Sequence, residues 1–210
     1  MNATLSHQIF NTDLTSADYI IRFNKTPVIK PESVTQHTFW VTLFTRLIAS
    51  HLTKDIDNLF TLMCIDAALT HDFVDENITG DVLFDFKHNE LNGDKVVELV
   101  NEFVESKMDE YYPTPSLFNN YVRNSIGLTN QKIIKSIIKV ADWLACMKYE
   151  EQELCLGNKA FIPILIKSLK KYDKAVVTLK MEARNYFRRG VNEEFFVELE
   201  NVTYECFTIK

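Results

Sequence analysis

Apolar residues at helical spacing run through most of this sequence, and residues that interrupt helices are scarce. The chain has 210 residues, of which five are Gly and five are Pro. Long periodic stretches with so few turn formers predict helices joined by short connections. A strand-like alternation is present only weakly, at 204–209. The predicted fold class is therefore all-α, in a chain long enough for one domain with a sizeable core and short for two.

Capping residues and helix breakers divide the chain into predicted helices. Ser33 can cap one helix, with Gln36 in the capping-box position. The other candidate caps are Asp55 or Asp57, Thr129 or Asn130, and Asn192. The segment 73–92 is predicted to be irregular, with Gly80 and Gly93 as breakers. The predicted helices span 16–23, 33–52, 55 or 57 to 72, 94–108, 117–126, 129 or 130 to 151, 158–186 and 192–200.

Charge and cysteine usage narrow the classes of function. The net charge of −6 makes duplex nucleic acid and anionic membranes unsuitable partners. We expect no signal peptide at the beginning of the chain and no membrane-spanning run. The cysteines form no CxxC motif, which favours reduced core residues in a cytoplasmic protein. They are Cys64, Cys146, Cys155 and Cys206.

Four residues of types that bind metals stand on the apolar stripes of three predicted helices. His37 begins one stripe, His71 ends another with Asp72 beside it, and Asp142 lies within a third. Taken singly, each has a simpler explanation: a core histidine with one hydrogen bond, a polar helix end, or an aspartate bonded to a neighbouring donor. Together they are harder to explain, because a buried carboxylate costs several kcal/mol unless it is paired or binds a metal. Two imidazoles and two carboxylates suit one divalent ion.

The order of these residues resembles the HD-domain phosphohydrolases, and within them the YfbR-like 5′-deoxynucleotidases. The resemblance covers about 19–149, and it implies a single HD-domain helical bundle over 1–210. The helices at about 158–200 are then expected to pack on the metal-site core. The motifs that carry the resemblance are Arg22–Phe23, "ESVTQHT" at 32–38, "HDFVDENITGD" at 71–81, Lys87 and Ala141–Asp142.

The resemblance implies one divalent metal, which could be cobalt, manganese, zinc or magnesium. Its ligands would be His37, His71, Asp72 and Asp142. Two departures concern groups near these ligands. The motif has Gln36 where the family has glutamate, and Phe23 where the family has a tryptophan. The smaller ring is expected to loosen or reshape a sugar pocket and to weaken the preference for deoxynucleotides.

The resemblance also implies a general acid and a set of substrate contacts. Glu76 is the expected acid, although one inserted residue makes Asp75 the alternative. Arg22 and Lys87 would bind phosphate oxygens. Asp81 would accept a hydrogen bond from a sugar hydroxyl or orient its loop.

Three functions stay open at this point. The first, which Arg22 and the Thr-Gly-Asp–Lys87 features favour and which we expect, is removal of phosphate from deoxynucleoside 5′-monophosphates. The second is release of triphosphate from a deoxynucleoside triphosphate such as dATP, as in related phage enzymes, and the third is nucleotide binding without catalysis. A multi-metal phosphodiesterase is disfavoured, because His7, His51 and His88 lack a fitting context. The resemblance also allows a homodimer or higher homo-oligomer. A triphosphate would need further cations, for which the candidates are Lys25, Lys30, Arg46, Arg123 and Lys148.

Overall fold

Helices make up the regular structure of the described part of the chain. The computed structural model describes residues 17–23, 26–53, 57–72, 131–187 and 190–202, with a few positions between 95 and 128. Apart from one isolated bridge, the elements in these ranges are helical, which confirms the all-α prediction. They are α1 (Val34–His51), α2 (Asn58–Thr70), α3 (Lys132–Cys155), a 3₁₀ turn (Lys159–Phe161), α4 (Ile162–Tyr186) and α5 (Glu193–Glu200).

Three helices begin at residues that the sequence identifies as caps. The Ser33 hydroxyl accepts from the Gln36 backbone N–H at 3.2 Å, and the Gln36 side chain accepts from the Ser33 N–H at 3.0 Å. This closed capping box fixes the first turn of α1. The Asp57 side chain caps α2 with one bond, accepted from the Leu59 N–H at 2.9 Å, and the Asn192 side chain caps α5 by accepting from the Phe195 N–H at 3.3 Å. Each such cap typically contributes about 1 kcal/mol to helix stability.

Other boundaries differ from the predicted ones. α3 begins after Gln131, which makes no side-chain cap bond, and it continues to Cys155, beyond the predicted end at 151. A 3₁₀ turn precedes α4, so that the regular helix starts at Ile162. Each of these ends differs from its predicted position by four residues, about one helical turn, which is a usual error for helix ends placed from sequence. The predicted elements at 73–92 and 204–209 lie outside the described residues, as do most positions of 94–108 and 117–126.

The segment 17–23 is not the helix that its apolar spacing predicts. After a single 3₁₀ turn at 17–18, Ile21 forms an isolated antiparallel bridge with Ser33. The Arg22 N–H donates to the Glu32 carbonyl at 2.9 Å, and the Val34 N–H donates to the Ile20 carbonyl at 3.0 Å. An isolated helix of two turns is marginal, and pairing with the chain before α1 satisfies the backbone instead. The pairing brings Arg22 beside the start of α1.

A buried carboxylate fastens the chain before α1 to α3. The side chain of Glu153 accepts from the backbone N–H groups of Ile29 and Lys30 at 2.8 and 2.7 Å. One turn earlier on α3, the Tyr149 hydroxyl donates to the Lys30 carbonyl at 3.0 Å. Because these bonds satisfy buried polar groups, they hold 26–33 in one position relative to α3.

The helix α3 lies at the centre of the described helices. It packs against α1 and α2 on one side and against α4 on the other, and α5 packs on α4. A single hydrophobic cluster runs through all five helices. The Tyr172 hydroxyl of α4 donates to the Leu199 carbonyl of α5 at 2.9 Å, which joins the last helix to the core. Within the described ranges, every helix is too short or too polar to cross a membrane.

Candidate metal centre

The helices α1, α2 and α3 bring His37, His71, Asp72 and Asp142 to one point. His37 lies in the first turn of α1, Asp142 lies within α3, and the adjacent pair follows the end of α2. One donor atom from each residue lies within 4.8 Å of the other three. The apolar stripes that place these residues on inward faces therefore also place them together.

The cluster is closed at its histidines and more open at its carboxylates. His37 Nε2 lies 3.1 Å from Asp142 Oδ1 and 3.7 Å from Asp72 Oδ2. His71 Nε2 lies 3.3 Å from the same Asp72 oxygen. The His37 side chain is fully buried, whereas the side chains of Asp142 and Asp72 are 16% and 23% exposed. A ligand could therefore approach from the carboxylate side.

The hydrogen bond of one ring nitrogen aims the other at the cluster. His71 Nδ1 donates to the Ala68 carbonyl at 2.7 Å. Nε2 of the same ring is buried and lies 3.3 Å from Asp72 Oδ2 without the geometry of a hydrogen bond. A buried nitrogen without a hydrogen bond is costly, and an ion among the four side chains would coordinate it. The donor set and this nitrogen both fit a divalent metal.

The electrostatics of the cluster favour a cation between the carboxylates. Burial, followed by the charge of Arg22, lowers the pKa of His37 to about 4, so its ring is neutral at pH 7. Burial also lowers the pKa of His71, but the Asp72 charge outweighs it and raises the pKa to about 9. The proton held there occupies a place where a divalent ion could bind instead.

Both carboxylates are ionised in this arrangement. Burial raises the pKa of Asp142, but Lys139 and the contact with His37 outweigh it and hold the pKa well below its usual range. Burial likewise raises the pKa of Asp72, and the charges of His71 and Arg22 lower it further than burial raises it. Two carboxylate charges then balance one divalent ion.

Two cationic side chains flank the carboxylates. Arg22 Nη1 donates to Asp72 Oδ2 at 3.2 Å, and Nη2 lies 3.5 Å from Cys146 Sγ. Lys139 Nζ donates to Asp142 Oδ2 at 2.8 Å, and its side chain is 48% exposed. The sequence reasoning identified Arg22 but missed Lys139. Its position three residues before Asp142 on one helix face was the available signal.

Glu32 is a second residue that the sequence reasoning missed. It stands in the motif that contains His37, and its buried side chain lies behind that ring. Glu32 Oε2 is 3.8 Å from His37 Nδ1 and 3.8 Å from Arg22 Nε. Residues that are neighbours on a helix are three or four positions apart, whereas Glu32 precedes His37 by five. The sequence spacing therefore does not predict the contact, and only the fold reveals it.

The structure places Phe23 in the core. Its ring stacks on Tyr149 with 5.3 Å between ring centroids and meets Phe161 edge-on at 5.5 Å. Its backbone has a φ of 55°, an uncommon conformation for a residue other than glycine. The expected contact with a sugar therefore remains a prediction, and the burial of the ring is already explained by packing.

Four expected site residues lie outside the described part of the chain. They are the candidate acids Glu76 and Asp75, the sugar contact Asp81 and the phosphate contact Lys87. Their roles stay predictions. Of the ten expected site residues, the structure places six: the four candidate metal ligands, Arg22 and Phe23.

Comparisons with known proteins agree with the fold and with the residue pattern. The sequence profile of the family described as 5′-deoxynucleotidase YfbR-like matches residues 9–195. The crystal structure of an HD-domain phosphohydrolase from Listeria innocua superposes with a TM-score of 0.61 at 21% identity, covering 86% of this chain and 82% of that chain. No match is found among curated protein sequences. The structural likeness confirms the helical fold.

Proposed function

The chain belongs to the 5′-deoxynucleotidase YfbR-like family, whose profile matches it over residues 9–195, and we propose that it removes phosphate from deoxynucleoside 5′-monophosphates. One observation carries the proposal: two histidines and two aspartates from three helices converge within 4.8 Å. This donor set and the family together indicate a metal-dependent phosphohydrolase.

We propose that one divalent ion binds to His37, His71, Asp72 and Asp142. The two imidazole nitrogens favour a borderline transition metal such as cobalt or zinc over magnesium, which prefers oxygen, and the two carboxylates also suit manganese. When bound, the ion would lower the pKa of a water molecule and polarise a phosphate oxygen. The donors leave room for such ligands, because the carboxylate side of the cluster is partly exposed.

The cations at the carboxylate side suit a phosphate monoester. Arg22 contacts the cluster at Asp72. Its guanidinium can donate two parallel hydrogen bonds to two phosphate oxygens. Lys139 contacts the cluster at Asp142, and its side chain is half-exposed. Its ammonium can therefore turn toward a bound phosphate. A dianionic phosphate placed beside the metal would thus meet two positive charges.

Of the five further candidate cations, Lys25 and Arg123 lie outside the described residues, and the positions of the other three favour a monophosphate over a triphosphate. Lys30 and Lys148 line a cavity of about 180 Å³ together with Glu32. Glu32 faces His37 Nδ1, whereas the other nitrogen of that ring faces the metal ligands, so these lysines lie behind the ring. Arg46 is exposed on α1, more than two turns beyond His37. Among the described residues, the cations that contact the cluster are therefore Arg22 and Lys139.

The leaving nucleoside alkoxide needs a proton. We propose that Glu76, which follows Asp72 by four residues, donates it as a general acid. Asp75, the residue before Glu76, is the alternative acid. Asp81 would accept from a sugar hydroxyl, and Lys87 would add a third phosphate-facing cation.

The expected compartment is the cytoplasm. Cys64 and Cys146 are buried thiols. Reduced cysteines in a protein core are typical of reducing compartments. The homodimer that the resemblance allows remains a prediction.

Removal and return of the metal tests this proposal. We expect phosphate release from dAMP to stop after treatment with a chelator and to recover with cobalt or manganese. An Asp173→Asn variant should behave as the wild type, because this exposed residue of α4 lies outside the cluster. Undiminished phosphate release after complete removal of metal would refute the proposed site.

A further inference from the structure

The nitrogen of His37 that faces away from the metal ligands lacks a hydrogen-bond partner. His37 Nε2 faces Asp142 and Asp72 at 3.1 and 3.7 Å. Nδ1 is buried and makes no hydrogen bond. The nearby acceptor is Glu32 Oε2, 3.8 Å away, which is also buried and makes no hydrogen bond. Two complementary polar atoms therefore face each other across a gap slightly too long for a hydrogen bond.

Metal binding determines which ring nitrogen of His37 carries the proton. Without metal, Nε2 of His37 can carry the proton and donate it to Asp142. A metal at the cluster needs the lone pair of Nε2, so the neutral ring must carry its proton on Nδ1. That proton then points into the protein interior, where an unpaired donor costs about 1–3 kcal/mol. Glu32 is placed to accept it after a small rotation of its carboxylate.

Glu32 also reaches the phosphate-facing cation. Its Oε2 lies 3.8 Å from Arg22 Nε, and its backbone carbonyl accepts from the Arg22 N–H at 2.9 Å. Glu32 itself is held in place, because it directly precedes the capping residue Ser33 and follows the segment that Glu153 fastens to α3. One carboxylate thus contacts both a metal ligand and a phosphate ligand.

We infer that Glu32 is a positioning residue, which accepts the Nδ1 proton of His37, sets the ring for metal coordination and aligns Arg22 beside the metal. The inference rests on the proposed metal site. Carboxylates that orient metal-binding histidines in this way typically change metal affinity by about 10–100-fold when they are removed. Removing Glu32 should therefore weaken metal binding, although Glu32 does not touch the metal.

Titration of the metal-free protein with Mn²⁺ in competition with a chelator tests the inference without an activity assay. Glu32→Met keeps the size of the side chain and removes the acceptor, and we expect Mn²⁺ to bind about 10–100-fold more weakly. Glu32→Gln restores a carbonyl acceptor and should recover part of the affinity.

A second buried glutamate supplies the matched control. Glu150 lies on α3, is fully buried and binds Ser168 at 2.7 Å rather than a metal ligand. Glu150→Met should lower the free energy of unfolding but leave Mn²⁺ affinity within about threefold of the wild type.

The outcomes separate the inference from the proposed function. Wild-type affinity in Glu32→Met would overturn the inference and leave the metal site intact. Equal losses in Glu32→Met and Glu150→Met would also overturn it, because loss of packing would then explain both. A wild-type protein that binds no divalent metal would overturn the proposed function and the inference together.

Discussion

Replacing Asp142 by asparagine removes one charge from the cluster and leaves the size of the side chain unchanged. Asp142 Oδ1 lies 3.1 Å from His37 Nε2, and Oδ2 lies 2.8 Å from Lys139 Nζ. The residue sits among buried neighbours on α3, including Ala141 and Cys146, which the substitution does not alter. The change therefore acts on the metal site and on one ion pair.

The expected loss of metal affinity follows from the charges. The four donor atoms lie within 4.8 Å of one another, so a bound ion would lie within about 4 Å of Asp142. Two unit charges at about 4 Å interact by about 4 kcal/mol at an effective dielectric of 20. A tenfold change corresponds to about 1.4 kcal/mol, so we expect Asp142→Asn to weaken binding of a divalent ion by at least about 10³-fold.

Stability should change little in the same variant. The Asp142–Lys139 ion pair involves a half-exposed lysine, and such pairs contribute about 0–1 kcal/mol. Its loss is offset because the substitution also removes the repulsion between Asp142 and Asp72.

Metal content after dialysis, competition with a chelator, and urea unfolding measure these effects separately. Asp173→Asn on α4 is the control for an equal change of charge. A metal content equal to that of the wild type in Asp142→Asn would refute the assignment of this ligand.

Four further variants test the site and the core. Glu76→Ala should keep the metal and lower turnover by about 10²–10⁴-fold, with a milder loss for Asp75→Ala; the reverse ranking would make Asp75 the acid. Lys139→Met should raise KM for dAMP more than it lowers kcat, because it removes a phosphate-facing charge, and an unchanged KM would contradict that role. Burial raises the pKa of Glu150 from 4.5 to about 8, although the Ser168 hydroxyl lowers it. This group therefore stabilises the fold fully below pH 4.5, and its contribution is lost as pH rises through 8. Between pH 5 and 9, the free energy of unfolding should therefore fall less in Glu150→Gln than in the wild type. The two decreases should differ by up to about 5 kcal/mol. Parallel pH profiles for both proteins would contradict this.

The helices and the candidate ligands were predictable because both depend on local spacing. Ser33, Asp57 and Asn192 cap helices where the sequence indicates caps. His37 and Asp142 stand on apolar stripes, and such stripes must face the core. Their convergence follows once the helices that carry them pack together.

The contacts of Arg22 and Glu32 could be read only from the fold, and for Lys139 the sequence offered only its spacing of three residues from Asp142. Arg22 and Glu32 meet because 20–22 pairs with 32–34, a pairing that the helical spacing of 16–23 conceals. Lys139 is an ordinary exposed lysine by sequence, and its role near Asp142 depends on the direction in which its side chain lies. Long-range backbone pairing and side-chain direction are the two features that periodicity does not encode.

The central claim concerns which bond the protein cleaves, and separate incubations with dAMP and dATP in the presence of cobalt or manganese test it most directly. The products are separated by the length of the phosphate chain. The two cations at the cluster, Arg22 and Lys139, predict that dAMP yields deoxyadenosine and inorganic phosphate. Release of intact triphosphate from dATP, with dAMP left untouched, would contradict the account.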